Sequence, residues 1–263
     1  MIVPLQFDAD SPAVIDPGNG REAIPDFPVF ALSCFTQKHA DWLLAHTEAE
    51  RVGSLIAGAD VPVWRVRRRG QTFAFYRSPV GGPGAAAIME EVAALGAKRF
   101  LFYGSCGSLD SALTAGHMIV PTAAFRDEGT SRHYLPESDW IDVQTAEKTA
   151  CVFDAMGVPY VRGKTWTTDA FYRETRGRME ALQALGCVAV EMECASVMAV
   201  ARHRGLEAYQ FLYAADCLDG ADWDRRILGA MPDDLRETIG TVALEAARRL
   251  AQGAPDGAMN TED

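Results

Sequence analysis

Short apolar runs alternate with amphipathic ones along this chain, and the alternation predicts its elements. Val29 to Cys34 reads as a strand, and Lys38 to Val52 as an amphipathic helix with Trp42, Leu43, His46 and Ala49 on one face. Val61 to Arg68 and Thr72 to Arg77 form a hairpin pattern around Arg69-Gly70. Pro83 opens a helix that Gly96 closes, the usual placing of these residues at a helix start and just past its end. Arg99 to Tyr103 reads as a buried strand, followed by two short ones, Met118 to Val120 and Ala123 to Phe125. Thr145 to Met156 is helical, Tyr160 to Thr165 a strand, and Glu174 to Leu185 a helix stopped by Gly186. Cys187 to Val190 is an apolar strand that runs into the helical segment Cys194 to Arg204. Ala208 to Ala215 is a last apolar run, and a helix spans about Asp233 to Ala251.

Strands and helices alternate from Val29 onward with no linker and no repeat, which predicts one α/β domain over 29–252. Residues 1–28, rich in Pro, Gly and Asp, read as an arm, and 253–263 as a disordered polar tail. The chain has 263 residues, 48% of them hydrophobic, enough for a full core. Its net charge of −11 argues against nucleic acid or an anionic membrane as the main partner, and a small anion would need a local positive site. The Cys residues at 34, 106, 151, 187, 194 and 217 show no paired spacing, and several sit in apolar runs, as core thiols of a reducing compartment do. No basic leader and no apolar run near ~18 residues occurs, so a soluble cytoplasmic protein is expected. The His residues have no ligand spacing with Cys or acids, and no metal is expected.

The chemistry concentrates where apolar runs end. Val190 leads into Glu191-Met192-Glu193, and Ala214-Ala215 into Asp216, 23 residues after Glu193. Carboxylates at the ends of buried elements are costly without partners, and strand ends are where α/β proteins bind ligands. Gly104-Ser105-Cys106-Gly107-Ser108 follows a buried strand. It reads either as an anion nest of backbone N–H groups with the Ser105 hydroxyl added, or as a tight turn that needs Gly for steric reasons. Arg126 to Pro136 is dense in polar groups and also carries Tyr134 and Leu135, which places it near a site. Thr167-Thr168-Asp169-Ala170-Phe171-Tyr172 is either a ligand-stacking segment or a set of aromatics at a helix start with Asp169 as a cap.

Together these segments resemble the purine/uridine nucleoside phosphorylase family, over roughly Val29 to Leu250. The resemblance implies a three-layer α/β fold with a twisted mixed central sheet flanked by helices. It also implies phosphorolysis of a nucleoside to base and ribose 1-phosphate. Glu193 then holds the ribose hydroxyls, since a carboxylate accepts two hydrogen bonds at once, and Met192 lies under the sugar. Glu191 is either a second contact or a buried support for Glu193. Phe171 stacks on the base, with Tyr172 beside it or in the core. Asp216, raised by burial, assists the departing purine near N7, or is instead a turn residue before Gly220. Gly104, Ser105 and Gly107 line a phosphate subsite, and its charge is left either to Arg126 and Arg132 locally or to Arg65, Arg67, Arg68 and Arg69 reaching a neighbouring subunit's site. The resemblance implies inorganic phosphate as co-substrate, no other cofactor, and a homo-oligomer, either dimer or hexamer.

The phosphate half departs from the family pattern. Leu32-Ser33-Cys34-Phe35-Thr36 stands where the family has a loop supplying an Arg, and Phe102 where it has another Arg. Thr175 and Gly177 replace the uracil-binding Gln and Arg of the uridine branch, which leaves a purine as the expected base. Two further readings stay open: a hydrolase of the same fold, and a nucleoside-binding protein without catalysis.

Overall fold

A computed structural model describes residues 7–8, 11–19, 23–55, 60–136 and 138–253. The strands are β1 (Phe30–Cys34), β2 (Glu48–Leu55), β3 (Val61–Arg68), β4 (Gln71–Arg77), β5 (Arg99–Ser108), β6 (Met118–Asp127), β7 (Trp140–Asp142), β8 (Tyr160–Thr168), β9 (Cys187–Glu191) and β10 (Glu207–Cys217). The helices are α1 (Gln37–Ala45), α2 (Gly82–Leu95), α3 (Ser131–Tyr134), α4 (Ala146–Met156), α5 (Arg176–Ala184), α6 (Cys194–Arg204) and α7 (Asp233–Gln252), with a 3₁₀ turn at Phe171–Arg173.

The strands form one mixed sheet in the order β10-β6-β8-β9-β5-β1-β4-β3-β2, and β10 also pairs with β5. That extra pairing closes β5, β10, β6, β8 and β9 into a ring, so half the sheet is barrel-like. The pairs β1–β4, β1–β5, β5–β10, β6–β8 and β8–β9 are parallel, whereas β5–β9, β6–β10 and the β2–β3–β4 meander are antiparallel. Helices α1, α4 and α7 pack together as one group and α2, α3 and α6 as another, giving the α/β architecture with flanking helices that the sequence predicts. β1 is buried at all five positions and β10 at ten of eleven, as expected for strands covered on both faces.

Three elements differ from the sequence reading. The expected helix over Lys38 to Val52 ends at Ala45, where His46 turns its N–H back to the Trp42 and Leu43 carbonyls. The next residues form β2 instead, because Glu48 to Leu55 find an antiparallel partner in β3, and that pairing overrides the helix preference of Glu and Ala. Met118 to Phe125 is one strand rather than two, with a register shift against β8 between Pro121 and Ala124. The strand expected to stop at Tyr103 runs on to Ser108. Gly104 and Gly107 are therefore extended residues of β5, in register with Leu212 and Asp216 of β10.

The described part of the arm packs on its own chain: the Phe7 ring lies 6.3 Å from His203, Asp16 pairs with Arg204 at 3.6 Å, and Phe27 is buried under Gly96. The expected tail lies outside the described residues apart from Gly253.

Candidate active site

The barrel-like half of the sheet brings the C-terminal ends of β5, β8, β9 and β10 to one place, and a cavity of ≈ 610 Å³ opens there. Strand ends present backbone that no neighbouring strand uses, which is why ligands gather at such points. Of the residues expected in a site, Ser105, Gly107, Phe171, Tyr172, Glu191, Met192, Glu193 and Asp216 all line this cavity. Gly104 and Arg126 do not.

Glu191 closes β9 and is buried by the start of α6. Its Oε2 accepts the backbone N–H groups of Glu193 (2.8 Å) and Cys194 (2.6 Å), and its Oε1 accepts the Thr167 hydroxyl at 2.6 Å. Thr167 Oγ1 in turn accepts the Ala195 N–H at 3.0 Å. A carboxylate at a helix N-terminus satisfies otherwise orphaned donors and meets the positive end of the helix dipole. Glu193, two residues on, is also buried, and it accepts the Gly81 N–H at 2.6 Å and a backbone hydrogen bond from Met192. Gly81 sits at φ +95° before α2, a conformation that suits glycine, and so brings this N–H across 112 residues of chain. Burial, and then the negative charge of Glu191, push Glu193 up to about 8. Burial raises Glu191 as well, against its three donors. Glu191, whose two oxygens are taken up by Thr167 and the start of α6, is the supporting member of the pair, and Glu193 the member with acceptor capacity left for a ligand.

Asp216 stands near the end of β10 beside Gly107. Its Oδ2 accepts the indole N–H of Trp223 at 2.7 Å. Burial raises its pKa, opposed by the Trp223 hydrogen bond and by Arg226. The turn alternative for Asp216 is not what the structure shows, since the residue is paired within β10 and its side chain lines the cavity. Gly107 has no room for a side chain: a Cβ there would lie 2.6 Å from Leu218 Cδ1 and 2.9 Å from Val190 Cγ1. At Gly104 a Cβ would lie 2.7 Å from the Phe35 ring. The steric reading of these glycines therefore holds, and because the segment is strand its N–H groups do not converge as a nest.

Phe171 and Tyr172 stand at the cavity mouth on the 3₁₀ turn, with ring centroids 4.1 Å apart. Phe171 is 49% exposed and Tyr172 89%, so neither is a core residue. Asp169 does not cap this turn. Its Oδ2 accepts the Gly129 N–H at 3.0 Å and ties the end of β8 to the polar loop.

The polar segment from Arg126 is built differently from the expectation. Arg126 is buried, and its guanidinium donates to Ser131 Oγ (2.8 Å), Pro136 O (2.7 Å) and Leu135 O (3.3 Å). Glu128 Oε2 accepts Ser131 N–H and Ser196 Oγ–H, both at 2.8 Å. These bonds fold the loop onto α6. A guanidinium whose donors serve three internal acceptors holds this loop together, and Arg126 does not line the cavity.

Sequence reasoning missed Phe35, Thr36, Val80, Glu174, Arg176 and Trp223 as cavity residues. Glu174 follows the 3₁₀ turn, its N–H bonded to Phe171 O at 3.2 Å. Burial, with the charge of Asp216 added, pushes it up to about 7. Arg176 Nη2 donates to Gly220 O (2.6 Å) and Ala221 O (3.0 Å), which ties α5 to the loop after β10. Glu174, Arg176 and Trp223 sit in polar stretches without a motif, and only the closure of the barrel brings them to the strand ends. No group of metal-ligating residues occurs among the described residues.

This arrangement supplies an acceptor for paired hydroxyls, an aromatic platform and an acid at separate points of one cavity. Residues 30–252 match the family model described as the phosphorylase superfamily. The uridine phosphorylase of Salmonella typhimurium is 30% identical over 187 residues, covering 61% of this chain and 74% of that protein. The guanosine phosphorylase of Halorubrum lacusprofundi is 34% identical over 136 residues, 49% of this chain and 54% of that one. The solved purine nucleoside phosphorylase of Toxoplasma gondii has the same fold, with a TM-score of 0.74 at 22% identity, covering 89% of this chain and 98% of that one. With the family model spanning most of its length, the chain belongs to the phosphorylase superfamily.

Proposed function

We propose that this protein cleaves the N-glycosidic bond of a purine nucleoside with inorganic phosphate, releasing the base and ribose 1-phosphate. The observation that carries the reading is the shared cavity of Glu193 and Asp216, one at the end of β9 and one at the end of β10, with Phe171 at its mouth. Glu193, once ionised, accepts two adjacent ribose hydroxyls while Met192 lies beneath the sugar. Phe171 stacks on the base, and protonated Asp216 gives a hydrogen bond or proton to a purine nitrogen as electrons of the breaking bond move onto the base. Thr36 and Ser105 offer hydroxyls at the nucleophile end. Arg176 is the one cationic side chain among the described residues lining the cavity, and it is tied to the loop after β10.

That scarcity of cations favours one second reading, hydrolysis by water on the same scaffold. Inosine, adenosine and uridine, each incubated with and without phosphate and analysed for sugar products, separate the two. Phosphate-dependent ribose 1-phosphate supports phosphorolysis, and free ribose at a rate indifferent to phosphate refutes it. Self-association as a dimer or hexamer in the cytoplasm belongs to the same proposal. No helix among the described residues is long and apolar enough to cross a membrane.

A further inference from the structure

The loop that follows β10 is held at several points. Cys217 and Asp224 exchange two backbone hydrogen bonds (2.8 and 3.0 Å), which closes residues 218–223 into a short loop. Arg176 binds the carbonyls of Gly220 and Ala221, and Asp219 Oδ2 accepts the Ser111 N–H at 2.9 Å. Trp223 is the last residue inside this closed loop. The residue is 58% exposed at the cavity rim, where water would ordinarily serve the indole N–H. Instead the N–H is given to Asp216 Oδ2 at 2.7 Å. The other carboxyl oxygen, Oδ1, lies 3.5 Å from where a Cβ on Gly107 would be, and the bare glycine leaves it room.

We propose that Trp223 is a positioning residue for Asp216: its indole N–H holds Oδ2 and directs the carboxyl proton to Oδ1, the oxygen over Gly107. The proposal rests on the reading of Asp216 as the acid. As the glycosidic C–N bond breaks, its electron pair passes to the base and the Oδ1 proton moves toward a base nitrogen. Asp216 is left as a carboxylate, and the Trp223 bond, now charge-assisted, becomes stronger as that charge develops. Other groups face Asp216 from every side: Cys106 on β5, Glu174 after the 3₁₀ turn, and Asp224 and Arg226 on the loop.

The variant that isolates the N–H is Trp223→Phe, which keeps an aromatic ring. The first measurement is made on the ligand-free protein and needs no turnover. The chain has five Trp, so five indole ¹⁵N–¹H signals are expected, and the one missing in Trp223→Phe identifies Trp223. That signal should shift with pH in a titration that disappears in Asp216→Asn. A flat signal from about pH 4 to pH 9, or one that titrates unchanged in Asp216→Asn, overturns the proposal. The second measurement is turnover of a purine nucleoside. Trp223→Phe should lower kcat about 10-fold with KM within about 3-fold, and should move the limb set by Asp216 ionisation to higher pH, because the lost donor favoured the ionised form. In an Asp216→Asn background the same change should alter kcat less than about 2-fold. Losses that multiply, with the limb unmoved, would mean that Trp223 only packs the loop. If no nucleoside is cleaved by the wild type, the functional reading fails alone, and the indole titration still decides whether Trp223 holds Asp216.

Discussion

Glu193→Gln tests the ribose site, the paired acids and the pH dependence together. The change is nearly isosteric, and the amide oxygen can still accept the Gly81 N–H that Glu193 Oε1 accepts at 2.6 Å. It removes one acceptor oxygen and the charge. A hydrogen bond to a charged group contributes about 1.5–3 kcal/mol, and about 1.4 kcal/mol is a factor of ten in rate. One lost ribose contact therefore predicts a fall in kcat/KM of roughly 10- to 200-fold. The pH dependence has two parts. In the wild type the ionised form that accepts both hydroxyls grows as pH rises through about 8, so kcat/KM rises there, and the rise should vanish in the variant. For stability, the unfolded carboxyl ionises near its ordinary 4.5, while the folded one keeps its proton until about 8. Across that window the folded state binds more protons, so wild-type stability falls as pH rises. Gln does not titrate, and the Tm advantage of the variant should grow from about pH 5 to pH 8. Steady-state kinetics and scanning calorimetry across this range are the assays. A folded variant with near-normal kcat/KM, or with the wild-type pH rise intact, would remove Glu193 from the ribose site.

Asp216→Asn should lose more activity on inosine and adenosine than on uridine, since Asn donates a hydrogen bond but transfers no proton. Uridine as the best substrate, with the variant unaffected, would refute the acid role. Gly107→Ala forces a methyl against Leu218 and Val190 and should destabilise the fold by about 1–3 kcal/mol in urea unfolding. An unchanged midpoint would show that the two strands can part. Arg126→Met should lower the melting temperature through loss of the bonds to Ser131, Leu135 and Pro136, while KM for phosphate stays within about 2-fold. A large rise in that KM alone would restore Arg126 to the phosphate subsite. Sedimentation at micromolar concentration should show a homo-oligomer, and a fully active monomer would contradict it.

Much of the frame was legible in the residues. Buried strands such as β1, β9 and β10 appear as apolar runs because both their faces are covered, and α2 appears between its Pro and its Gly. Glu191, Glu193 and Asp216 stood out because acids at the ends of such runs need partners. The polar strand β2 was misread because nothing in Glu48 to Leu55 announces β3 as its partner. The burial of Arg126 was not legible because a charged residue in a polar loop looks solvent-facing, and only the folded loop shows three acceptors converging on its guanidinium. By itself the sequence determined an α/β chain with two acid-bearing strand ends and an aromatic segment, since hydrophobic periodicity and unpaired carboxylates are local facts. The tertiary structure alone decided that β10 returns to pair with β5. That closure brought Glu174, Arg176 and Trp223 to the strand ends and put the Trp223 N–H on Asp216. Such contacts depend on groups distant along the chain meeting in space, and no spacing along it encodes the meeting.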